Sequence, residues 1–309
     1  CVVDQNAWRV IFVPFIFCQE TLPMKTSFAT LALGLTALAS TAQAACPTDL
    51  EAAAVAAAIV ARQPVVAPAG EMSVEDGLCG RDKVLRFLAQ TYGEAVGYKA
   101  GLTNPAVQKR LNYNAPLRGT LFKSMIVADG AEVPAAFGTR PVFEADLVVE
   151  VGDPVRLAKA ATPQEALRYI KSVRPFIELP DLMVDDPSKL GGAMLAMINV
   201  GARLGVLGQP IAARHDKALA EALASMTVTM TDQAGTVIDS GKGSAILGNP
   251  LNAAIWLAQD LARACMPLKR GDLLSLGSFT KLTPPKPGMA VTARYEGLPG
   301  NPAVGVRFR

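Results

Sequence analysis

Residues 143–151 read FEADLVVEV, and this stretch decides the fold because it alternates. A strand's period of two turns Glu144 and Asp146 to one face and Ala145, Leu147 and Val149 to the other. Such a strand needs an apolar core on one side. On the other side two neighbouring anions call for a cation, although on a solvated face the same spacing would mean little. A third acid, Glu178, stands in the apolar run VRPFIELP (173–180), where an unpaired carboxylate is costly to bury. Three carboxylates from two segments, with no His or Cys nearby, suit a hard ion such as Mg²⁺ or Mn²⁺. That ion would chelate a 2-oxo acid through its carboxylate and carbonyl oxygens and act as Lewis acid for an enolate.

Outward from this strand the pattern stays rich in short alternating runs: GTLFKSMIVADG (119–130), ARLGVLG (202–208), SMTVTMTDQAGTVIDSG (225–241), GDLLSLGS (271–278), MAVTARYEG (289–297) and VGVRFR (304–309). Each is bounded by Gly, Pro or polar residues, as strands are, and Asp232 to Gly235 reads as a hairpin turn. Helical stretches lie mainly before it. Residues 48–62 are Ala-rich behind a Thr48 cap, 73–92 form a second helix, and a short strand at 95–102 precedes a helix at 104–112. A helix is expected over 162–173, with Thr162 as cap and Pro163 in its first position. Another spans 250–263, where Leu251, Ile255 and Trp256 suit the core. The fold class is α+β with a β-rich core and no internal repeat.

The amino-terminal part has a different character. Met24 and Lys25 lead into the apolar stretch FATLALGLTAL (28–38), and small residues end at Ala42-Gln43-Ala44, the layout of a secretory signal peptide. A membrane anchor needs about 20 continuous apolar residues, and Ser40, Thr41 and Gln43 interrupt this run. The expected organisation is an upstream extension (1–23), a signal peptide (24–44), a helix and linker (45–71) and the main domain (72–309). The working protein is then periplasmic or secreted. Of five cysteines, Cys1 and Cys18 precede Met24. In an oxidising compartment Cys46 and Cys79 are the disulfide candidates, the alternative being three buried thiols. The single histidine, His215, lies in the polar stretch AARHDKAL (212–219), which leaves almost no material for a zinc site or a His-based triad. A net charge of +3 without a basic cluster gives no footprint for nucleic acid or for an anionic membrane.

Seven segments carry a resemblance: GYKAGLTNPAVQ (97–108), GTLF (119–122), FEADLVVEV (143–151), PFIELPD (175–181), INVGARLG (198–205), SGKGSAILGNPLNAAIWLA (240–258) and LKRGDLLSLGSF (268–279). In order and spacing they resemble the 2-keto-4-pentenoate hydratases and their 4-oxalocrotonate decarboxylase relatives, within the fumarylacetoacetate hydrolase-like superfamily. The likeness covers nearly all of residues 72–309. It implies a mixed β-rich roll with flanking helices, a homo-oligomer, and a small 2-oxo acid as partner. The family's E-x-E metal pair falls on Glu144 and Asp146, here E-x-D, and its third carboxylate on Glu178. Its active-site lysine falls on Lys99 in G-x-K-x-G-L-T. Thr103, Asn199, Ser240, Lys242 and Ser244 fall in or near the substrate pocket, with Gly241 and Gly243 alternatively serving tight turns.

One position departs from the pattern. Where hydratases carry an aspartate shortly after GTLF, the run GTLFKSM places Ser124, and a hydroxyl does not shuttle a proton at neutral pH as a carboxylate does. The activity implied is divalent-metal-dependent hydration of an unsaturated 2-oxo or 2-hydroxydienoic acid through a chelated enolate. Decarboxylation and C–C hydrolysis run through the same species and stay open. So do a periplasmic 2-oxo-acid-binding protein without turnover and a structural envelope domain.

Overall fold

A computed structural model describes residues 46–309 except 69, 112 and 214–216. The expected signal peptide, the segment before it and His215 lie outside the described residues. Among the described residues no helix is long and apolar enough to cross a membrane.

Thirteen strands and eight α-helices form among the described residues. The strands are β1 (Ala95–Gly101), β2 (Leu117–Phe122), β3 (Ile126–Ala128), β4 (Ala131–Val133), β5 (Glu144–Val151), β6 (Ile170–Leu179), β7 (Leu204–Leu207), β8 (Ile211–Ala212), β9 (Thr227–Asp232), β10 (Val237–Lys242), β11 (Leu273–Ser275), β12 (Ala290–Glu296) and β13 (Ala303–Phe308). The helices are α1 (Asp49–Ala61), α2 (Val74–Tyr92), α3 (Pro105–Arg110), α4 (Pro154–Leu157), α5 (Pro163–Leu167), α6 (Gly192–Met197), α7 (Lys217–Ser225) and α8 (Pro250–Arg263). The larger sheet runs β2-β1-β11-β5-β6-β7-β3, with β8 also on β6, and the smaller runs β10-β9-β12-β13-β4. This mixture of sheets and flanking helices is the α+β architecture expected.

Local chemistry explains the helix starts. Thr48 with Glu51, and Ser73 with Asp76, form capping boxes at α1 and α2, each satisfying two otherwise orphaned backbone donors. Asn249 caps α8 with Pro250 behind it. At the hairpin, Asp232 Oδ1 accepts from the N–H groups of Ala234 and Thr236, and Gly235 takes a left-handed φ of 80°.

The helix expected over 162–173 is cut short. Only α5 is helical, and β6 begins at Ile170. Pro175 cannot sit inside a helix and biases Arg174 toward extended backbone, and the long pairing with β5 overrides the helical start.

Two apolar cores lie against the larger sheet. One gathers Tyr98, Ala145, Leu147, Val149, Ile177 and Leu179 with β9, β12, β13 and α8. The other joins α1, α2 and α6 to Leu117, Leu121 and Phe122. A disulfide joins Cys46 to Cys79, Cα atoms 5.6 Å apart, and ties the entry of α1 to α2. Because Ala145, Leu147 and Val149 fill the first core, the acidic residues between them face away from it.

Candidate active site

The register across the larger sheet assembles the site. Glu144 on β5 lies directly opposite Glu178 on β6, with Asp146 two residues along opposite Phe176, so all three carboxylates share one face. Lys99 on β1 pairs with Gly119 on β2 and with Ser275 on β11. Its ammonium forms a buried ion pair with Glu178 and donates to the Val200 carbonyl at 2.9 Å. Lys99 and Glu178 are each 3% exposed, and Glu144, less fully covered, has Ser278 beside it.

Asp146 is held differently. Ser275 Oγ donates to its Oδ2 at 2.6 Å, while its Oδ1 accepts from the backbone N–H groups of Leu147, Leu276 and Gly277. The short aspartate side chain is thereby drawn into the segment after β11. Tyr295, from β12 and wholly buried, places its hydroxyl between the two strands. It bonds the Asp146 carbonyl and accepts from the Phe176 N–H at 3.1 Å. Burial pushes its pKa upward.

The electrostatics show what this face lacks. Burial, then the charge on Glu178, holds Glu144 well above the usual carboxylate range despite the pull of Lys99. Burial and Glu178 likewise push Asp146 up to about 7. The donors on Asp146 favour its ionised form, yet desolvation and the neighbouring carboxylate outweigh them. Three carboxylates against one ammonium leave an excess of buried negative charge. Oxygen donors with that excess fit a hard divalent cation, and Glu144 and Glu178 are the side chains able to hold it. The three-carboxylate ligand set expected from the sequence is not assembled: Asp146 is occupied by protein donors, and among the described residues no group of three acidic, His or Cys side chains is arranged to hold a metal.

The other expected site residues divide into near and far. Thr103 is buried and lies against Gly277, where a Cβ would overlap its Oγ1. Asn199 is buried too, but both ends of its carboxamide are spent on the backbone of Thr120. Ser240, Lys242 and Ser244 are exposed at and just after β10, and Lys242 donates to Thr227 Oγ1. Gly241 is in extended β10 rather than a tight turn.

Ser124 is exposed on the turn after β2 and donates to the Tyr92 carbonyl at 3.0 Å. Lys99 pairs with Gly119, whereas the other end of the β1–β2 ladder pairs Ala95 with Phe122, and Ser124 lies beyond that end. It lines a cavity of about 170 Å³ with Arg62, Tyr92 and Arg203. The register thus sets Ser124 apart from Lys99 along the ladder.

Sequence reasoning missed Ser275 and Tyr295. The segment containing Ser275 stood out, but nothing local tied its hydroxyl to an aspartate about 130 residues earlier.

No family model matches the chain. It is 34% identical over 204 residues to the 2-keto-4-pentenoate hydratase of Paraburkholderia phymatum, covering 66% of this chain and 75% of that one. It is likewise 34% identical over 213 residues to that of Burkholderia vietnamiensis, covering 68% and 78%. Among solved structures, the 4-oxalocrotonate decarboxylase of Pseudomonas putida G7, complexed with magnesium and adipate, superposes with a TM-score of 0.73 at 24% identity, over 85% of this chain and 99% of that one. The curated relatives are named hydratases, and the decarboxylase shares the fold. Sequence relatedness at this level and coverage places the chain in the 2-keto-4-pentenoate hydratase family.

Proposed function

We propose that this protein is a hydro-lyase that hydrates an unsaturated 2-hydroxydienoic acid. The enol O–H proton is released as a proton moves to the distal carbon, and water then adds across the resulting enone. The observation that carries this reading is the buried Lys99–Glu178 pair facing Glu144, on the scaffold of a hydratase family.

An ammonium has three N–H bonds. Two serve Val200 and Glu178, leaving one for an anionic oxygen of the substrate. Glu178 and the Val200 carbonyl hold that ammonium in place, so binding a substrate oxygen requires little reorganisation. A divalent cation held by Glu144 and Glu178 would supply Lewis-acid polarisation of a 2-oxo acid. The uncompensated negative charge of the face supports this, as does the magnesium in the decarboxylase crystal.

Export belongs to the same reading. The signal-like residues 24–44 and the Cys46–Cys79 disulfide support a periplasmic or secreted working place.

The test is turnover. Residues 45–309 are assayed with 2-hydroxypenta-2,4-dienoate and with the vinylogous dicarboxylate 4-oxalocrotonate, in Mg²⁺ or Mn²⁺ and in chelator. Metal-dependent loss of dienol absorbance without CO₂ release is expected. CO₂ release from the dicarboxylate alone would make it a decarboxylase, and oxalate binding without turnover would make it a binding protein.

A further inference from the structure

The Val200 carbonyl that receives the Lys99 ammonium comes from an unusual turn. Asn199, Val200 and Gly201 take φ values of 56°, 55° and 65° in succession. Left-handed backbone suits Gly and is tolerated by Asn, but a β-branched residue there is an outlier that its surroundings must impose. The turn follows α6 and runs into β7, where Gly205 pairs with Glu178. It therefore joins the two partners of the ion pair.

One side chain clamps this turn to the sheet. Asn199 Nδ2 donates to the Thr120 carbonyl at 2.9 Å, and its Oδ1 accepts from the Thr120 N–H at 2.7 Å. Because β2 is at the edge of its sheet, the carboxamide fills the place of a neighbouring strand's peptide. The approach is close: a Cβ on Gly119 would come within 2.7 Å of the Asn199 carbonyl and 2.9 Å of Lys99 Cγ. With its carboxamide oxygen and nitrogen both engaged on Thr120 and 1% exposure, Asn199 is fixed by the backbone of β2 rather than turned toward a ligand.

We propose that Asn199 is a positioning residue for Lys99, and not a substrate contact. By fastening a strained left-handed turn to β2, it aims the Val200 carbonyl at Nζ and directs the remaining N–H toward the substrate. In its catalytic consequence this inference rests on the proposed hydratase activity. In its structural content it does not.

The experiment therefore reads both. Asn199→Gly keeps left-handed backbone accessible and removes the clamp, and Asn199→Asp keeps the acceptor and loses the donor. Ile59→Ala, in the buried face of α1 and on a different element from Lys99, Asn199 and Thr120, serves as a control for stability loss alone. The slow-exchanging ¹⁵N signal of the Lys99 ammonium, assigned with Lys99→Met, is followed beside kcat, KM and thermal midpoint. The expected result is a Lys99 signal broadened or lost in Asn199→Gly and weakened in Asn199→Asp. With it kcat falls 10-fold or more for Gly and less for Asp, while KM changes under 3-fold and Ile59→Ala leaves kcat near wild type. An unchanged Lys99 signal and kcat in Asn199→Gly, with only a lower midpoint, would overturn the proposal and make the clamp purely structural. If Asn199→Gly does not fold, the same comparison in Asn199→Asp decides. A wild type without turnover whose Lys99 signal still responds would refute the hydratase reading and leave the positioning role standing.

Discussion

Lys99 sets the charge balance of the carboxylate face, because its ammonium is the cation that offsets Glu178 and relieves Glu144. Replacing it by methionine should reduce turnover by about 100-fold or more, the range of a lost preorganised electrostatic contact. The same variant should bind Mn²⁺ more tightly, since the metal would no longer share Glu178 with an ammonium. Calorimetry beside the activity assay checks both, and weakened Mn²⁺ binding would contradict the reading of the face.

Asp146 predicts the opposite pattern. Its carboxyl group gathers Ser275 and three backbone donors, so Asp146→Ala, which leaves these buried donors without their acceptor, should lose about 1 to 3 kcal/mol of stability. Urea unfolding measures that loss, and Mn²⁺ affinity should fall less than in Glu178→Ala. The common face of Glu144 and Asp146 was legible from period two, and Glu178 stood out from its apolar context, while the register that sets it opposite Glu144 was not readable. The turning of Asp146 into the segment after β11 was not, because its partners lie about 130 residues downstream. The bonding of Asn199 to Thr120 was not legible for a related reason: the two are 79 residues apart, and a carboxamide in a sequence does not disclose which backbone it will bind.

Among the secondary-structure elements, those with a local cause were the readable ones. The capping boxes of α1 and α2 and the Asp232–Gly235 hairpin follow from side chains within four residues. The β6 strand was not legible, because the Thr162 cap and the Pro163 start suggest a helix that pairing with β5 then cuts short. Ser124 shows the same limit: its place after GTLF was correct in sequence, but the β1–β2 register carries it beyond the end of the ladder opposite Lys99. The disulfide at the start of α1 closes a loop spanning 33 residues. In the chain-entropy account such a closure is worth about 3 to 4 kcal/mol. Cys79→Ser should therefore lower unfolding stability by that order, and reductant should have the same effect on the wild type but none on the variant.

Considered as one molecule, the protein buries ionisable groups between two apolar cores, and this couples its stability to pH and to metal. Asp146 titrates near 7 in the folded state against an ordinary value of 3.8, and Glu144 is also raised. Between those values the folded chain binds more protons than the unfolded chain, so stability falls as pH rises through this window and levels off above it. The metal-free protein should unfold at lower urea near pH 8 than near pH 5, and saturating Mg²⁺ or Mn²⁺ should flatten that difference by neutralising the face. A metal-free stability that rises from pH 5 to 8 would contradict the assigned burial. The central claim is that this face is a chelating site for a divalent ion and a 2-oxo acid together. Its most direct test is calorimetric titration of residues 45–309 with Mn²⁺, with and without oxalate as a mimic of the 2-oxo acid. Ion binding that oxalate strengthens, and that Glu178→Ala abolishes, is the predicted result; no ion binding, or binding unaffected by Glu178→Ala, would contradict it.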